Sequence, residues 1–250
     1  LRLSECFNGE IVSADSRQVY RHLDIGTAKP TREEMSRVPH HLIDVVNPDE
    51  VFSLAQYQEM AFKAIKDIQQ RDKLPFLVGG SGLYVRAVLE NWRIPRVSPD
   101  YRFRYNVEKR AAEGGAAELY EELARLDPEA ARKIDPRNVR RIIRALEVHA
   151  GAGQPFSRAG RKRPPPFRAL VIGLTTDRVG LYKIVDERVD AMFAGGLVNE
   201  VENLLKMGYD FSLPAFSGIG YRQVGQYLRG KLSLEEARQK IKTETHRFIR

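Results

Sequence analysis

Cysteine is nearly absent: Cys6 is the one thiol in 250 residues. A disulfide framework within the chain is excluded, and so is a zinc site built on cysteines. The lone thiol suits a reducing cytoplasm, the expected location. Long apolar runs are missing as well. No stretch approaches the roughly 20 residues that span a bilayer as a helix, and no membrane partner is expected. No segment reads as a signal peptide. Acids are scarce in one region: from Arg132 to Arg168, eleven Lys and Arg face only Asp135 and Glu147. That local excess accounts for the whole net charge of +8 and points to a polyanionic partner more strongly than the overall balance does. What is present is an ordinary globular composition, 42% hydrophobic and 30% charged. The length fits one large domain or a core with a smaller insert.

Leu1 to Asn8 reads as the tail of a helix stopped at Asn8-Gly9. Glu10 to Ala14 then reads as a strand, rich in β-branched and apolar residues. It stops on Asp15, followed by Ser16, Arg17 and Gln18. A carboxylate at the C-terminal edge of a parallel strand either faces a ligand or caps the next helix, and spacing alone does not separate the two. Asp24 to Pro30 is a small-residue turn whose Thr27 and Lys29 suit an anion. Glu33 to Arg37 reads as a short helix. His40 and His41 are neighbours in a strand or loop, so they point to opposite faces and do not chelate one ion; no metal-ligand set is assigned. Ser53 and Gln56 form a capping box for a helix to about Arg71, with Leu54, Tyr57, Ala61, Ala64, Ile65 and Ile68 on its core stripe. Lys73 to Val78 is expected to be a buried strand. It runs into Gly79-Gly80-Ser81-Gly82 and a helix from Leu83, an arrangement that aims backbone N–H groups at a phosphate or simply makes a tight connection.

Trp92 to Pro99 is a proline-marked link, and Asp100 to Gly151 reads as all helical: Arg102–Ala112, Ala116–Leu126, a short helix after Asp127-Pro128, and Arg137–His149. The last places Val139, Ile142, Ile143 and Leu146 on an apolar side and Arg137, Arg140, Arg141 and Arg144 on a basic stripe. Arginines without acids at paired spacing repel one another, which favours a phosphate partner over a merely solvated face. Gln154 to Pro166 is a basic, irregular link. Phe167 to Leu174 is expected to return as a strand, Gly195-Gly196 to separate two helices, and Ser233 to Arg250 to close the chain as a basic amphipathic helix.

Asp15-Ser16-Arg17-Gln18-Val19-Tyr20 followed by Asp24-Ile25-Gly26-Thr27-Ala28-Lys29-Pro30 resembles the tRNA dimethylallyltransferases, also called tRNA isopentenyltransferases, which carry D-S-x-x-x-Y and then D-I-G-T-A-K-P. Further family patterns follow: the H-H-L-I-D run at His40; G-G-T/S-G-L-Y at Gly79; Q-R-L-x-R-A-L-E-V at Arg140, where Arg stands for the family's Gln; D-R-x-x-L-Y at Asp177; and I-G-Y-R at Ile219. The resemblance implies an α/β fold, with a P-loop NTPase-like parallel sheet core and an inserted all-helical domain. The expected organisation is a first core part over 1–97, a helical tRNA-binding insert over 98–165, and a second core part over 166–250. The family's phosphate loop, G-P-T-x-x-G-K-[ST], does not occur in these residues. The expectation is that it precedes Leu1 and that more helix follows Arg250.

The resemblance also implies the chemistry. A dimethylallyl group would pass from dimethylallyl diphosphate to N6 of the adenosine beside the anticodon, in tRNAs reading codons that begin with U, with Mg2+ accompanying the diphosphate. Asp15 is implied as the base, with Ser81 and Arg188 at the leaving group and Lys29 also on the diphosphate. Implied tRNA contacts are Asp15, Ser16, Arg17 and Gln18; Arg102; Arg140, Arg141, Ile142, Ile143 and Arg144; and Gly220, Tyr221 and Arg222, the last two either clamping a nucleotide or packing. The anticodon arm is the expected partner and a monomer the expected state. The rivals are a P-loop nucleoside or metabolite kinase, an adenylate isopentenyltransferase acting on free nucleotides, and a non-catalytic RNA-binding protein.

Overall fold

In the computed structural model the described residues are 1–95, 97, 99–153, 155–158 and 161–249. They fall into two compact units, Leu1–Val85 with Ala169–Arg250, and Arg86–Arg168. Arg96 and Ser98 of the first expected link, Gln154, Ala159 and Gly160 of the second, and Arg250 of the last helix lie outside the described residues.

The first unit is built on β1 (Gly9–Ser13), buried at every residue. Helix α1 (Arg2–Cys6) leads into it through Asn8, which takes a positive φ of 48° to turn the chain. After α2 (Arg32–Arg37), β2 (His40–His41) pairs with one edge of β1. After α3 (Leu54–Gln70), β3 (Leu74–Val78) pairs with the other. Both pairings are parallel, in the order β2-β1-β3. The Ser53–Gln56 capping box starts α3, which buries Tyr57, Ala61, Ile65 and Ile68. Tyr57 donates to the Ser13 carbonyl at 3.1 Å and stacks on Tyr84 at the start of α4 (Gly82–Leu89).

A glutamate, Glu10, sits in the buried central strand with only 1% of its surface exposed. It accepts from Arg71, Lys73 and His41, so one carboxylate gathers three basic side chains. The Arg71 guanidinium holds it far below the usual carboxylate range against the opposing effect of burial. His41 is thus spent on Glu10, while His40 turns to the Val38 carbonyl.

Two expected strands differ. β3 is not buried: Leu74 and Val78 are 47% and 51% exposed, because β3 is an outer strand among the described ones. Residues 169–174 form no strand, and Leu170, Val171, Ile172 and Leu174 stand in solvent. A β-branched run becomes a strand only with a ladder to join, and both edges of the central strand are taken.

Among its described residues the second unit contains helices and loops alone. Helix α5 (Tyr101–Arg110) meets α6 (Ala116–Leu126) at a kink where Gly114 takes φ 97°. Then follow α7 (Pro128–Lys133), capped by Asp127, and α8 (Val139–Ala152), capped by Asn138. Leu119, Leu123 and Ile142 are fully buried at its centre, each stabilising by about 1.5–3 kcal/mol. The entry and exit of the unit run side by side: Arg93 donates to the Arg161 carbonyl at 2.9 Å and Arg163 to that of Glu90 at 3.1 Å.

The remainder of the first unit is helical: α9 (Arg178–Ala194), α10 (Leu197–Lys206), α11 (Tyr221–Leu228) and α12 (Leu234–Phe248). Gly195 and Gly196 part α9 from α10, the second at φ 96°. No helix among the described residues is long and apolar enough to cross a membrane.

Glu147 ties α5 to α8. Only 2% exposed, it accepts from the Asp100 amide at 2.8 Å, from Arg104 at 2.8 and 2.9 Å, and from Arg144. Burial works against its charge, yet these donors hold it below the usual carboxylate range. A depressed carboxylate stabilises above the unfolded value near 4.5 and loses that contribution as pH falls through the folded one. Glu147→Gln should therefore cost roughly 1.5–3 kcal/mol at neutral pH. The gap from wild type in urea denaturation should narrow below about pH 4; a gap constant with pH would contradict this.

Candidate active site

The backbone brings two strand ends together. One residue beyond β1, the Ala14 amide still donates to the Val78 carbonyl at 2.7 Å. The chain leaving β3 then folds over the end of β1. A Cβ on Gly79 would lie 2.4 Å from both the carbonyl carbon and oxygen of Ala14; only glycine admits that approach. The Ser81 amide donates back to the Ala14 carbonyl at 3.1 Å, and the Ser81 carbonyl accepts the first turn of α4.

That crossing sets Ser81 against Ser16. The Ser81 hydroxyl accepts from the Ser16 amide at 2.9 Å and donates to the Ser16 hydroxyl at 3.2 Å. Asp15 is half-buried beside them. Its Oδ1 accepts from the Arg17 amide at 2.7 Å and the Gln18 amide at 3.3 Å, closing a local turn. Residues 16–19 are a turn, so Asp15 caps no helix. Its Oδ2 has no hydrogen-bond partner among the described residues. One oxygen fixes the carboxylate; the other is open.

Arg17 reaches away, donating to the Pro214 carbonyl at 2.8 Å and the Ser217 hydroxyl at 3.1 Å. Gln18 donates to the carbonyls of Thr27 and Ala28, each at 3.2 Å. Both polar heads thus fasten neighbouring segments.

The turn over Asp24 to Pro30 does bind an anion, but an internal one. The Glu200 carboxylate, from the first turn of α10, accepts the amides of Asp24 at 3.0 Å, Ile25 at 2.7 Å and Gly26 at 3.2 Å, and the Tyr221 hydroxyl at 2.6 Å. Lys29 is not available to a diphosphate. Its side chain is 4% exposed and its ammonium is shared by Asp24, Asp44 and the Tyr20 carbonyl at 2.5–2.7 Å. Nor does Tyr221 stack on a nucleotide: it is 1% exposed against Gly26, and burial, reinforced by Glu200, pushes its phenol far up. It is therefore always a donor. Gly220 takes φ 101° to start α11, and Arg222 pairs with Glu244 while keeping half its surface.

The sequence reading passed over Glu200; the available signal was a lone carboxylate one turn beyond the Gly195-Gly196 break. A groove of about 360 Å³ adjoins this clamp, lined by His22, Asn199 and Asn203 among others, and it excludes Asp15, Ser16 and Ser81. Arg188 is exposed on α9 without an ion-pair or hydrogen-bond partner among the described residues, and no hydrogen bond joins it to Asp15 or Ser81.

In the helical unit, Ile142 and Ile143 are core residues, 0% and 4% exposed, which corrects their reading as RNA contacts. The arginine stripe is half neutralised: Arg144 belongs to Glu147 and the Val97 carbonyl, and Arg137, which precedes α8, pairs with Asp135 at 2.9 Å. Arg140, Arg141 and Arg102 are exposed and unpaired among the described residues. Among those residues no three His, Cys, Asp or Glu side chains gather as a metal site.

The family model described as IPP transferase matches residues 18–250. A tRNA dimethylallyltransferase of Roseiflexus sp. (strain RS-1) is 54% identical over all 250 residues, which span 82% of that protein. One of Dehalococcoides mccartyi is 50% identical over the same residues, spanning 77% of it. Among solved structures, the full-length tRNA isopentenylpyrophosphate transferase of Bacillus halodurans is 41% identical with a TM-score of 0.69, over 99% of this chain and 78% of that one. A eukaryotic dimethylallyltransferase acting on tRNA is 25% identical with a TM-score of 0.82, over 99% of this chain and 63% of that one.

The close approach at Gly79 gives a paired test. Gly79→Ala should lower the denaturation midpoint by an amount equal to about 1–3 kcal/mol and lower activity with it. Gly80→Ala, whose Cβ would meet nothing within 4 Å, should leave both near wild type; equal effects from the two would contradict the close-approach argument.

Proposed function

The chain belongs to the IPP transferase family and transfers a dimethylallyl group to tRNA; we propose how its residues do so. The donor is dimethylallyl diphosphate and the acceptor is N6 of the adenosine beside the anticodon, in tRNAs reading codons that begin with U. The exocyclic amine is conjugated with the purine ring and is a weak nucleophile. As the new C–N bond forms and the C–O bond to diphosphate breaks, the proton on N6 passes to Asp15. The observation that carries this is the divided carboxylate: Oδ1 is held by two amides and Oδ2 is unclaimed. Ser16 and Ser81, linked at the same strand ends, offer hydroxyls to the leaving diphosphate, and the unpaired guanidinium of Arg188 offers charge.

Mg2+ comes in with the diphosphate. The two serine hydroxyls would fit the sparse protein share that Mg2+ takes beside substrate phosphates and water, leaving Asp15 to the proton. Bound there, the ion would neutralise charge on the leaving group. The target base must leave its stack to reach the strand ends. Arg140, Arg141 and Arg102 of the helical unit meanwhile hold the phosphates of the anticodon arm. The core is of the P-loop NTPase kind, the helical unit its insert, and the enzyme a cytoplasmic monomer.

Two measurements test this. Asp15→Asn should lower single-turnover transfer by about 10²–10⁴-fold while tRNA affinity stays within a few-fold; near-normal transfer would remove Asp15 as the base. Arg140→Glu with Arg141→Glu should weaken tRNA binding and flatten the slope of log K against log salt by about 0.7–0.9 for each phosphate no longer neutralised. An unchanged slope would exclude those arginines from the interface.

A further inference from the structure

Helix α5 is two-faced. Phe103, Arg104 and Val107 turn inward: Val107 is 5% exposed, Phe103 packs on the unit's core, and Arg104 is bound to Glu147. The outward side carries Tyr101 and Tyr105, 66% and 68% exposed. They stand one helical turn apart, so their rings share a face. Neither hydroxyl has a partner among the described residues. The fold gives no reason for either ring: among the described residues of this unit the only other exposed large apolar side chain is Leu126, whereas Tyr57, Tyr84 and Tyr221 of the first unit are buried. The surroundings are cationic. Arg102 is exposed and unpaired, and Lys109 reaches only Glu113, at 3.9 Å; Glu108 is the one acid on this stretch of helix.

Flat rings beside unpaired cations are the pattern that takes unstacked bases while following their backbone. A protein partner would have less use for the charge, and a duplex would have no use for the rings. We propose that Tyr101 and Tyr105 are a stacking platform for the unpaired bases of the tRNA loop, with Arg102 and Lys109 on the adjoining phosphates. This rests on tRNA as substrate and adds which part of it this face takes.

The test is fluorescence anisotropy of the full chain with two labelled RNAs: a stem closed by an anticodon-sized loop, and the same stem as an uninterrupted duplex. Tyr101→Ala with Tyr105→Ala should weaken stem-loop binding at least about tenfold, leave duplex binding unchanged and leave the salt slope unchanged. The paired Phe variants should restore the affinity. Arg102→Ala should instead reduce the salt slope of stem-loop binding by just under one. Stem-loop binding unaltered in the Ala pair overturns the proposal, and so does an equal loss on loop and duplex or a Phe pair as weak as the Ala pair. A wild-type chain that binds neither RNA would instead overturn the tRNA reading, a separate result.

Discussion

The candidate site depends on a missing side chain. Gly79 touches the Ala14 carbonyl at a distance no Cβ could occupy, and the five-residue register between β1 and β3 holds the two there. From that approach the rest follows in order. The glycine turn folds over β1, Ser81 meets Ser16, and α4 departs from Ser81. Asp15 stands beside this junction, oriented by its own turn. The candidate residues are therefore set by turns pinned directly to the ends of β1 and β3.

A second anchor works by charge. Glu200 fills a concavity of three backbone amides and takes the Tyr221 proton donor as well. It fastens the turn after Asp24 to α10 and to the first residue of α11. Arg17 adds a further tie, from the strand end to the segment before α11. Motifs far apart in the chain are thus mutually braced, and much of their polar chemistry is consumed in the bracing. Lys29 is the clearest case, an ammonium enclosed by three oxygens.

Local features were legible in the sequence. The Asn8 stop, the capping box at Ser53, the helix start at Ser233, the bounds of α6 and the break at Gly195-Gly196 are set by neighbours within a few residues. What needed distant partners was not. Residues 169–174 have strand composition and no ladder. Arg104 and Glu147 are 43 residues apart, so nothing local showed that this carboxylate is buried between α5 and α8, although its pairing with Arg144 spans only three residues. Ile142 and Ile143 had two readings, as a helix's apolar side and as part of a family motif; periodicity was the better guide. For the site, motif resemblance picked out Asp15 and Ser81, but not that Asp15 spends one oxygen on its own turn.

The paired entry and exit of the helical unit have an architectural consequence. Glu90 and Arg163, like Arg93 and Arg161, are already joined backbone to backbone, and Asn91 adds a side-chain bond to the Pro164 carbonyl. The two strands of chain that lead in and out are thus zipped together where they run side by side. Joining them with a short hairpin would close the chain with its own hydrogen bonds intact and with little change in closure entropy, which grows only logarithmically with loop length. The helical unit is thus closed at its entry by its own backbone hydrogen bonds.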